Sequence, residues 1–373
     1  MLPSALRLQR RILSLVILFL FVGQIMLFSA TGVLALEKYG SEFYFLIRQA
    51  LCAALGVILM LILSKIRYQI WNKLVYPLIG IQIVLVALTV FSGHGHQAQG
   101  ASRWLKFGMF SFQPGELAKI TVAIFVAHYL TLSRSTRLSA KRKIIEILCF
   151  VTLILLIFKQ PDLGSTVLLL GLALGAFFIA GARPALIAGG IGIGSILLVL
   201  ALLQADYRRR RLMAFLNPWA DPQGNGFQAI QSFLSFHSGK LFGVGLGNGN
   251  SKLFFLPEVH TDFIFSLIGE ELGFVGACIL LILFAYFAYC LFKVALKAPD
   301  SFGSYLAFGL AFILVAQIAI NVGGVTGIIP VKGLPLPFIS WGRSAVIVNL
   351  AMVGILLNIV RQSGIIEKNN GPH

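Results

Sequence analysis

Charge is what this chain has least of. Only 12% of its 373 residues are Asp, Glu, Lys or Arg, while 58% are hydrophobic. A soluble domain carries about 25% charged residues, so a soluble globular fold is excluded. Acids are scarcer still, 13 against 30 Lys and Arg, leaving a net charge of +17. The bases flank apolar runs instead of clustering with aromatics, which excludes nucleic acid as a partner and fits membrane lipid head groups and topology signals. Cysteine is nearly absent: Cys52, Cys149, Cys278 and Cys290 lie inside apolar runs at unrelated spacings. They form neither a disulfide framework nor a zinc site and read as small buried hydrophobes. His94 and His96 are an isolated His-x-His, a weak metal signal. The run Gly243-Val244-Gly245-Leu246-Gly247-Asn248-Gly249 lacks the GK[ST] ending and the strand context of a phosphate cradle, so neither a nucleotide nor another organic cofactor is expected. No fixed-period repeat, low-complexity tract or soluble domain interrupts the chain.

Long apolar runs are what it has in abundance. At about 20 residues per membrane span, ten are expected: 11–36, 43–64, 71–91, 114–133, 144–159, 163–181, 185–205, 262–292, 303–327 and 344–361. The fold class is therefore an all-α polytopic membrane protein, a single membrane domain over 1–373. The first run follows Arg7, Arg10 and Arg11 and exceeds the roughly 7–15-residue core of a signal peptide, so it reads as an anchor. An even number of spans puts both termini in the cytoplasm. The linkers with Lys65, Arg67 and Lys73, and with Arg134, Arg137, Lys141, Arg142 and Lys143, then also lie inside, as the positive-inside rule asks. Arg208 to Arg211 land outside, in a loop long enough to cross regardless of charge. A nine-span chain lacking 185–205 would flip the C-terminal third. Three loops, 92–113, 206–261 (between helices seven and eight) and 328–343, share the outer face, where chemistry is expected.

Five polar constellations stand at or near that boundary. His260-Thr261-Asp262 opens the eighth run, and Asp262, Ser266 and Glu270 recur every four residues, one helix face. Asp262 there is either a helix cap or a general base towards a hydroxyl group. Glu270 and Glu271 sit within Gly269-Glu270-Glu271-Leu272-Gly273, a small-xxx-small pattern that suits close helix packing with an interhelical polar contact. In Gln113-Pro114-Gly115-Glu116-Leu117-Ala118-Lys119, Pro114 suits the first helical position. Glu116 and Lys119 then pair at i and i+3, as an interfacial anchor or as substrate contacts. Gln160-Pro161-Asp162-Leu163-Gly164-Ser165 reads as a turn whose Asp162 caps the following helix. Arg208, Arg209, Arg210 and Arg211 suit either a lipid phosphate or head groups in general. The glycine run is expected to let the chain lie flat on the membrane, with Phe227, Ile230, Phe233, Leu234 and Phe236 forming an interfacial apolar surface.

These stretches carry a resemblance. GASRWL at 100–105, QPGELAK, QPDLGS, NPWADPQGNGFQ, LPEVHTDFIFSLIGEELG and the segment from Asn321 through TGIIPVKGLPLPFISWG to Ser344 together resemble the SEDS family (shape, elongation, division, sporulation) over nearly the whole chain. The wording is closer to the division branch than to the elongation branch, RodA. The resemblance implies a peptidoglycan glycosyltransferase of the bacterial cytoplasmic membrane, polymerising lipid II by inverting transfer with release of undecaprenyl pyrophosphate. It implies Asp262 as the essential acid, drawing the proton from the acceptor hydroxyl, with Glu116 and Lys119 as further catalytic residues. It also implies Arg208, Arg209, Arg210, Arg211, Trp219, Gln228, His260 and Ser340 as substrate contacts. A divalent cation, Mg or Mn, with Asp262 as a ligand, is expected to assist. A class B penicillin-binding transpeptidase and regulators of the FtsQ, FtsL and FtsB type are the expected partners. Three departures from the family wording, Gly115 for Ser, Lys240 for Gly and Trp341 with Arg343 in SWGRS, leave the acid in place and bear on loop geometry and partner contacts. The competing readings are a lipid II transporter and a noncatalytic scaffold; acids gathered at one boundary, not at the midplane, weigh against transport.

Overall fold

The structure, a computed structural model, describes residues 4–91, 95–98, 101–107, 110–135, 139–203, 206–252 and 259–369. Each predicted apolar run holds a helix. These are α1 (Ser4–Tyr39), α2 (Tyr44–Lys65), α4 (Val75–Phe91) after a short α3 (Gln69–Lys73), α5 (Pro114–Ser135), α6 (Ala140–Lys159), α7 (Leu163–Ile179), α8 (Pro184–Leu203), α11 (Ile264–Leu296), α12 (Ser301–Val325) and α13 (Arg343–Asn369). Six of them, α1, α2, α5, α11, α12 and α13, are long and apolar enough to cross a bilayer. The chain is a multi-pass membrane protein. Its centre is α13 packed along α2, with α12 and α5 beside it. Gly56 and Gly354 allow that closeness, since a Cβ on Gly56 would stand 3.3 Å from the Cα of Ile347 and one on Gly354 only 2.6 Å from the Met60 carbonyl oxygen.

Two expected loops are structured. The 92–113 stretch carries β1 (Gly95–Ala98), β2 (Ala101–Phe107) and β3 (Phe110–Phe112), an antiparallel sheet in the order β1-β2-β3, so the all-α expectation gives way there. The register slips between His96 and Gln97, which breaks the period-two pattern that betrays strands in a sequence. His94 lies outside the described residues, and so does the side chain of His96. Arg103 on β2 donates through Nε to the Gln160 carbonyl at 3.2 Å and through Nη2 to that of Pro161. These bonds pin the sheet over the α6–α7 turn. The 206–261 stretch contains α9 (Asp206–Leu216), a 3₁₀ turn at Pro218–Ala220 and α10 (Phe227–Gly239).

α11 is broken. Gly273 has φ 70° and ψ −173°, which no helix accommodates. The break strips partners from the Glu270 and Glu271 carbonyls and from the amides of Phe274 and Val275. The chain just after α10 supplies all four. Val244 N–H donates to Glu270 O at 3.0 Å, Gly245 N–H to Glu271 O at 3.1 Å, Phe274 N–H to Lys240 O at 2.9 Å and Val275 N–H to Leu241 O at 3.1 Å. The two backbones approach so closely that a Cβ on Gly243 (φ +81°) would overlap the Glu271 carbonyl. So the glycine run does not lie flat on the membrane: its first part is spliced into a helix. Glu270 and Glu271 lock the rest. Glu270 accepts from the amides of Asn250 (2.8 Å) and Ser251 (3.3 Å). Glu271 Oε1 accepts from Ser29 Oγ at 2.6 Å and Gly249 N–H at 3.3 Å, and pairs with Lys252 Nζ at 3.3 Å.

Gly243→Ala is expected to lower the thermal midpoint in detergent far more than Gly247→Ala. Both carry positive φ, which costs an ordinary residue about 1–2 kcal/mol, but Gly247 has nothing within 4 Å of its Cβ position while Gly243 abuts backbone. Equal losses would show that φ alone matters and that the splice tolerates separation.

Candidate active site

Asp262 stands half-buried in the turn before α11, which starts at Ile264 with Phe263 as its N-cap. The cap reading of Asp262 is therefore corrected: the residue sits on irregular backbone two positions ahead of the helix. Of the expected common face, Ser266 and Glu270 remain, four apart in the regular first part of α11, but with different partners: Ser266 Oγ meets Ser232 Oγ at 2.6 Å and Glu270 serves the loop lock. What holds Asp262 is Asn321 of α12. Its Nδ2 donates at 2.9 Å to the Asp262 carbonyl and at 2.9 Å to the Leu334 carbonyl. One amide thus clamps the acid's turn to the 328–342 segment. On that segment a Cβ at Gly333 would stand 3.4 Å from Asp262 Oδ2. His260, half-buried, accepts at 2.8 Å from the Trp341 amide through its carbonyl, and its ring lies 5.4 Å from Phe45.

The other acids join this end of the molecule through a run of contacts. The Lys332 carbonyl lies 3.0 Å from a Cβ position on Gly164. Nearby, Asp162 caps α7, as the sequence suggested, accepting from Ser165 N–H at 3.0 Å and from its hydroxyl at 2.8 Å. The other side of Asp162 faces Gly115, whose Cβ position is 3.7 Å from Oδ2. Next along α5, Glu116 and Lys119 form the expected i, i+3 ion pair at 2.7 Å, with side-chain exposures of 3% and 0%. The pair is not interfacial but enclosed, and Glu116 Oε2 is buried without a hydrogen-bond partner.

The arginine run divides. Arg209, Arg210 and Arg211 are exposed on α9, and the side chain of Arg208 lies outside the described residues. Arg209 and Arg210 line a pocket of about 350 Å³ with Asn217, Asp221 and Asn225. The Asn225 amide, donating at 2.8 Å, holds the Asp221 carboxyl below its usual range. Trp219, 62% exposed, stands on the same turn, and Gln228 lies half-buried in the first turn of α10. Ser340, expected to touch substrate, is buried at 1% exposure and its hydroxyl accepts from the Leu336 amide at 2.8 Å, closing a turn of its own loop. Lys332 was missed. Burial pushes its ammonium below the usual lysine range, and the like charge of Arg211 pushes it further. Its neighbour Gly333 faces Asp262, so a cation and the acid occupy consecutive ground. The signal was a lone charge in the otherwise uncharged TGIIPVKGLPLPFIS.

The family described as "Cell cycle protein", which groups FtsW, RodA and SpoVE, matches residues 9–364. The chain belongs to this family. Among curated relatives, it is 43% identical to the probable peptidoglycan glycosyltransferase FtsW of Geobacter metallireducens, over 90% of each chain. It is 40% identical to stage V sporulation protein E of Bacillus subtilis, covering 93% of this chain and 95% of that one. Among solved structures, it superposes with a TM-score of 0.77 and 30% identity on a chain of a peptidoglycan synthase complex that coordinates polymerization and crosslinking, covering 94% of this chain and 97% of that one. The FtsW/RodA/SpoVE fold thus extends across the whole helical framework that positions Asp262.

Breaking the enclosed pair from one side leaves a lone buried charge, which costs about 3–5 kcal/mol. Lys119→Met is expected to destabilise by that order, and the Glu116→Gln/Lys119→Met double variant to regain most of it, as read from thermal midpoints in detergent. Additive losses would show that the two groups do not depend on each other.

Proposed function

We propose that this protein polymerises peptidoglycan glycan strands from lipid II in cell division, as a peptidoglycan glycosyltransferase of the FtsW type. The observation that carries the reading is Asp262, whose main-chain carbonyl is clamped through Asn321 to the Leu334 carbonyl, on a loop that also carries the half-buried cation Lys332, within the electrostatic reach of Arg211. Transfer of the sugar needs a base for the acceptor hydroxyl and positive charge for the departing pyrophosphate. Asp262 takes the proton; the oxygen attacks the anomeric carbon from the face opposite the pyrophosphate, whose bond breaks with inversion. Lys332, Arg211 and the Arg209–Arg210 pocket receive the leaving charge, and Lys119 with Glu116 stiffens the first turns of α5. Trp219, Gln228 and His260 are substrate contacts in this reading. A divalent cation, Mg or Mn, fits the donor set in a limited way. The described residues contain no cluster of three His, Cys, Asp or Glu, but Mg²⁺ is commonly held by one or two carboxylates and substrate phosphates. Asp262 would be its protein ligand, and the ion, when bound, would neutralise pyrophosphate charge.

In this reading ten helices cross the bacterial cytoplasmic membrane, both termini are cytoplasmic and Asp262 faces outward, in keeping with the basic linkers. The partners are a class B penicillin-binding transpeptidase and regulators of the FtsQ, FtsL and FtsB type; the likeness to a chain of a peptidoglycan synthase complex supports the first. An elongation role of the RodA type is the nearer alternative. A transporter gains one feature, the broken helix α11, but its own chain fills that break, which favours the polymerase.

With lipid II in detergent, Asp262→Asn is expected to lose at least about 10²-fold in strand formation at unchanged thermal midpoint. A loss below about tenfold would remove the base, and lipid II transport in liposomes surviving the change would favour the transporter. Lys332→Met is expected to separate function from stability: polymerisation falls about tenfold or more, while the midpoint holds or rises because the folded protein disfavours that charge. A midpoint that falls together with activity would make Lys332 structural.

A further inference from the structure

At the end of α2 away from Asp262 lies a second cleft. The start of α2 is fixed near the acid by the Phe45 contact with His260, and 22 helical residues carry the chain about 33 Å, roughly the membrane's hydrocarbon thickness, to Lys65. There a cleft of about 360 Å³ is lined by Lys65, Arg67, Asn358, Arg361, Gln362 and Ile365. Three of the six are cations and none is an acid. The ion pairs among the described residues are Glu116–Lys119, Arg142–Glu146 and Lys252–Glu271, so these three cations belong to none of them.

The walls are preformed. Asn358 Oδ1 accepts from the Tyr68 amide at 3.0 Å and from Gln362 Nε2 at 2.7 Å, its Nδ2 donates to the Ser64 carbonyl at 2.8 Å, and Gln69 Nε2 donates to Gln362 Oε1 at 2.9 Å. The cations therefore rim a rigid notch between the ends of α2 and α13. Above Lys65, at spacings of three, four and seven residues, lie Ile62, Leu61 and Ile58, exposed at 50%, 49% and 55%. That is one helix stripe, apolar and facing outward where hydrocarbon surrounds the bundle.

We propose that this cleft binds the phosphate of an anionic glycerophospholipid, with Lys65, Arg67 and Arg361 on the phosphate oxygens and the acyl chains along Ile58, Leu61 and Ile62. Basic pockets between helix ends suit such head groups, and guanidinium matches phosphate oxygens in pairs. The apolar stripe selects a lipid over a free phosphate ester. A lipid here braces α2 against α13, whose other ends reach the acid's surroundings: on α2 Gln49 donates to the Ser340 carbonyl of the loop beside the acid at 3.0 Å, and on α13 Ser344 Oγ accepts at 3.2 Å from the amide of Gln113, which leads into α5.

The test uses the full chain in phosphatidylcholine nanodiscs with added phosphatidylglycerol, counting lipid retained after transfer to detergent by native mass spectrometry. Lys65→Gln/Arg67→Gln/Arg361→Gln is expected to retain at least about tenfold less phosphatidylglycerol than the unaltered chain, since each cation is worth about fivefold. Lys141→Gln/Lys143→Gln, which removes two exposed cations elsewhere on the surface, should retain as much as the unaltered chain. Equal loss in both variants would reduce the effect to general surface charge and overturn the cleft. Displacement by water-soluble glycerol phosphate at matched concentration would assign the cleft to a free phosphate ester and overturn the lipid. If the triple variant does not fold, Arg361→Gln alone should lose about fivefold, and unchanged retention there would equally sink the proposal.

Discussion

The broken helix governs much of this molecule. A membrane protein cannot leave backbone amides and carbonyls unpaired in hydrocarbon, so irregular backbone survives there only when protein covers it. Gly273 interrupts α11 and exposes four such groups; residues 240–245 return to pair with all four. This exchange, backbone for backbone, anchors α10 and the glycine-rich stretch to the helix that follows Asp262. It adds main-chain pairing to the side-chain bonds that tie the 206–252 region to the bundle, such as Ser232 with Ser266. With it, the region becomes part of the framework that sets where the acid stands.

Buried charge follows the same logic. Glu270 and Glu271 are 2% and 1% exposed, and charge at that depth is costly. Glu270 is met by two amides and Glu271 by an amide, a hydroxyl and Lys252. Their work is consumed in holding a loop, which leaves them no lone pairs aimed at a ligand beyond Glu271 Oε2. Asp262 differs in kind. Its backbone, not its carboxylate, carries the Asn321 clamp, so the turn is fixed while the side chain faces the glycine at 333. Position and chemistry are divided between main chain and side chain.

This division explains what could be read from the sequence. Helix periodicity and length located every apolar run, because these depend on local composition alone. Asp162 as a cap and Glu116 with Lys119 as a pair were legible for the same reason, since each joins residues three apart. Contacts across long separations were not. Nothing in Gly243 announces that it packs on the Glu271 carbonyl, and nothing in Ser340 that its carbonyl accepts from Gln49 of α2. The small sheet escaped because its strands are short and a bulge at Arg103, opposite His96 and Gln97, interrupts alternation in β2. The helix was expected to open at Asp262 and opens two residues later: a Thr-Asp pair before an apolar run looks like a cap, while the bond from Asn321 to the Asp262 carbonyl joins residues 59 apart and leaves no local trace.

Lys332 shows where folding and function part. A cation half-buried on a loop and within the electrostatic reach of Arg211 is unfavourable in the fold taken alone: burial and like charge both act against it. A sequence under selection for stability alone would place an apolar or small residue there. An arriving anion adds an attraction that opposes both, and positive charge already fixed in place needs little reorganisation to stabilise it. In the proposed reaction Asp262 is the proton acceptor, and Lys332, next in sequence to the glycine that faces it, offers the place for negative charge. On the proposed reading, an arrangement that costs the folded state and favours a departing pyrophosphate is what would distinguish a reaction site from the loop locks and ion pairs that surround it.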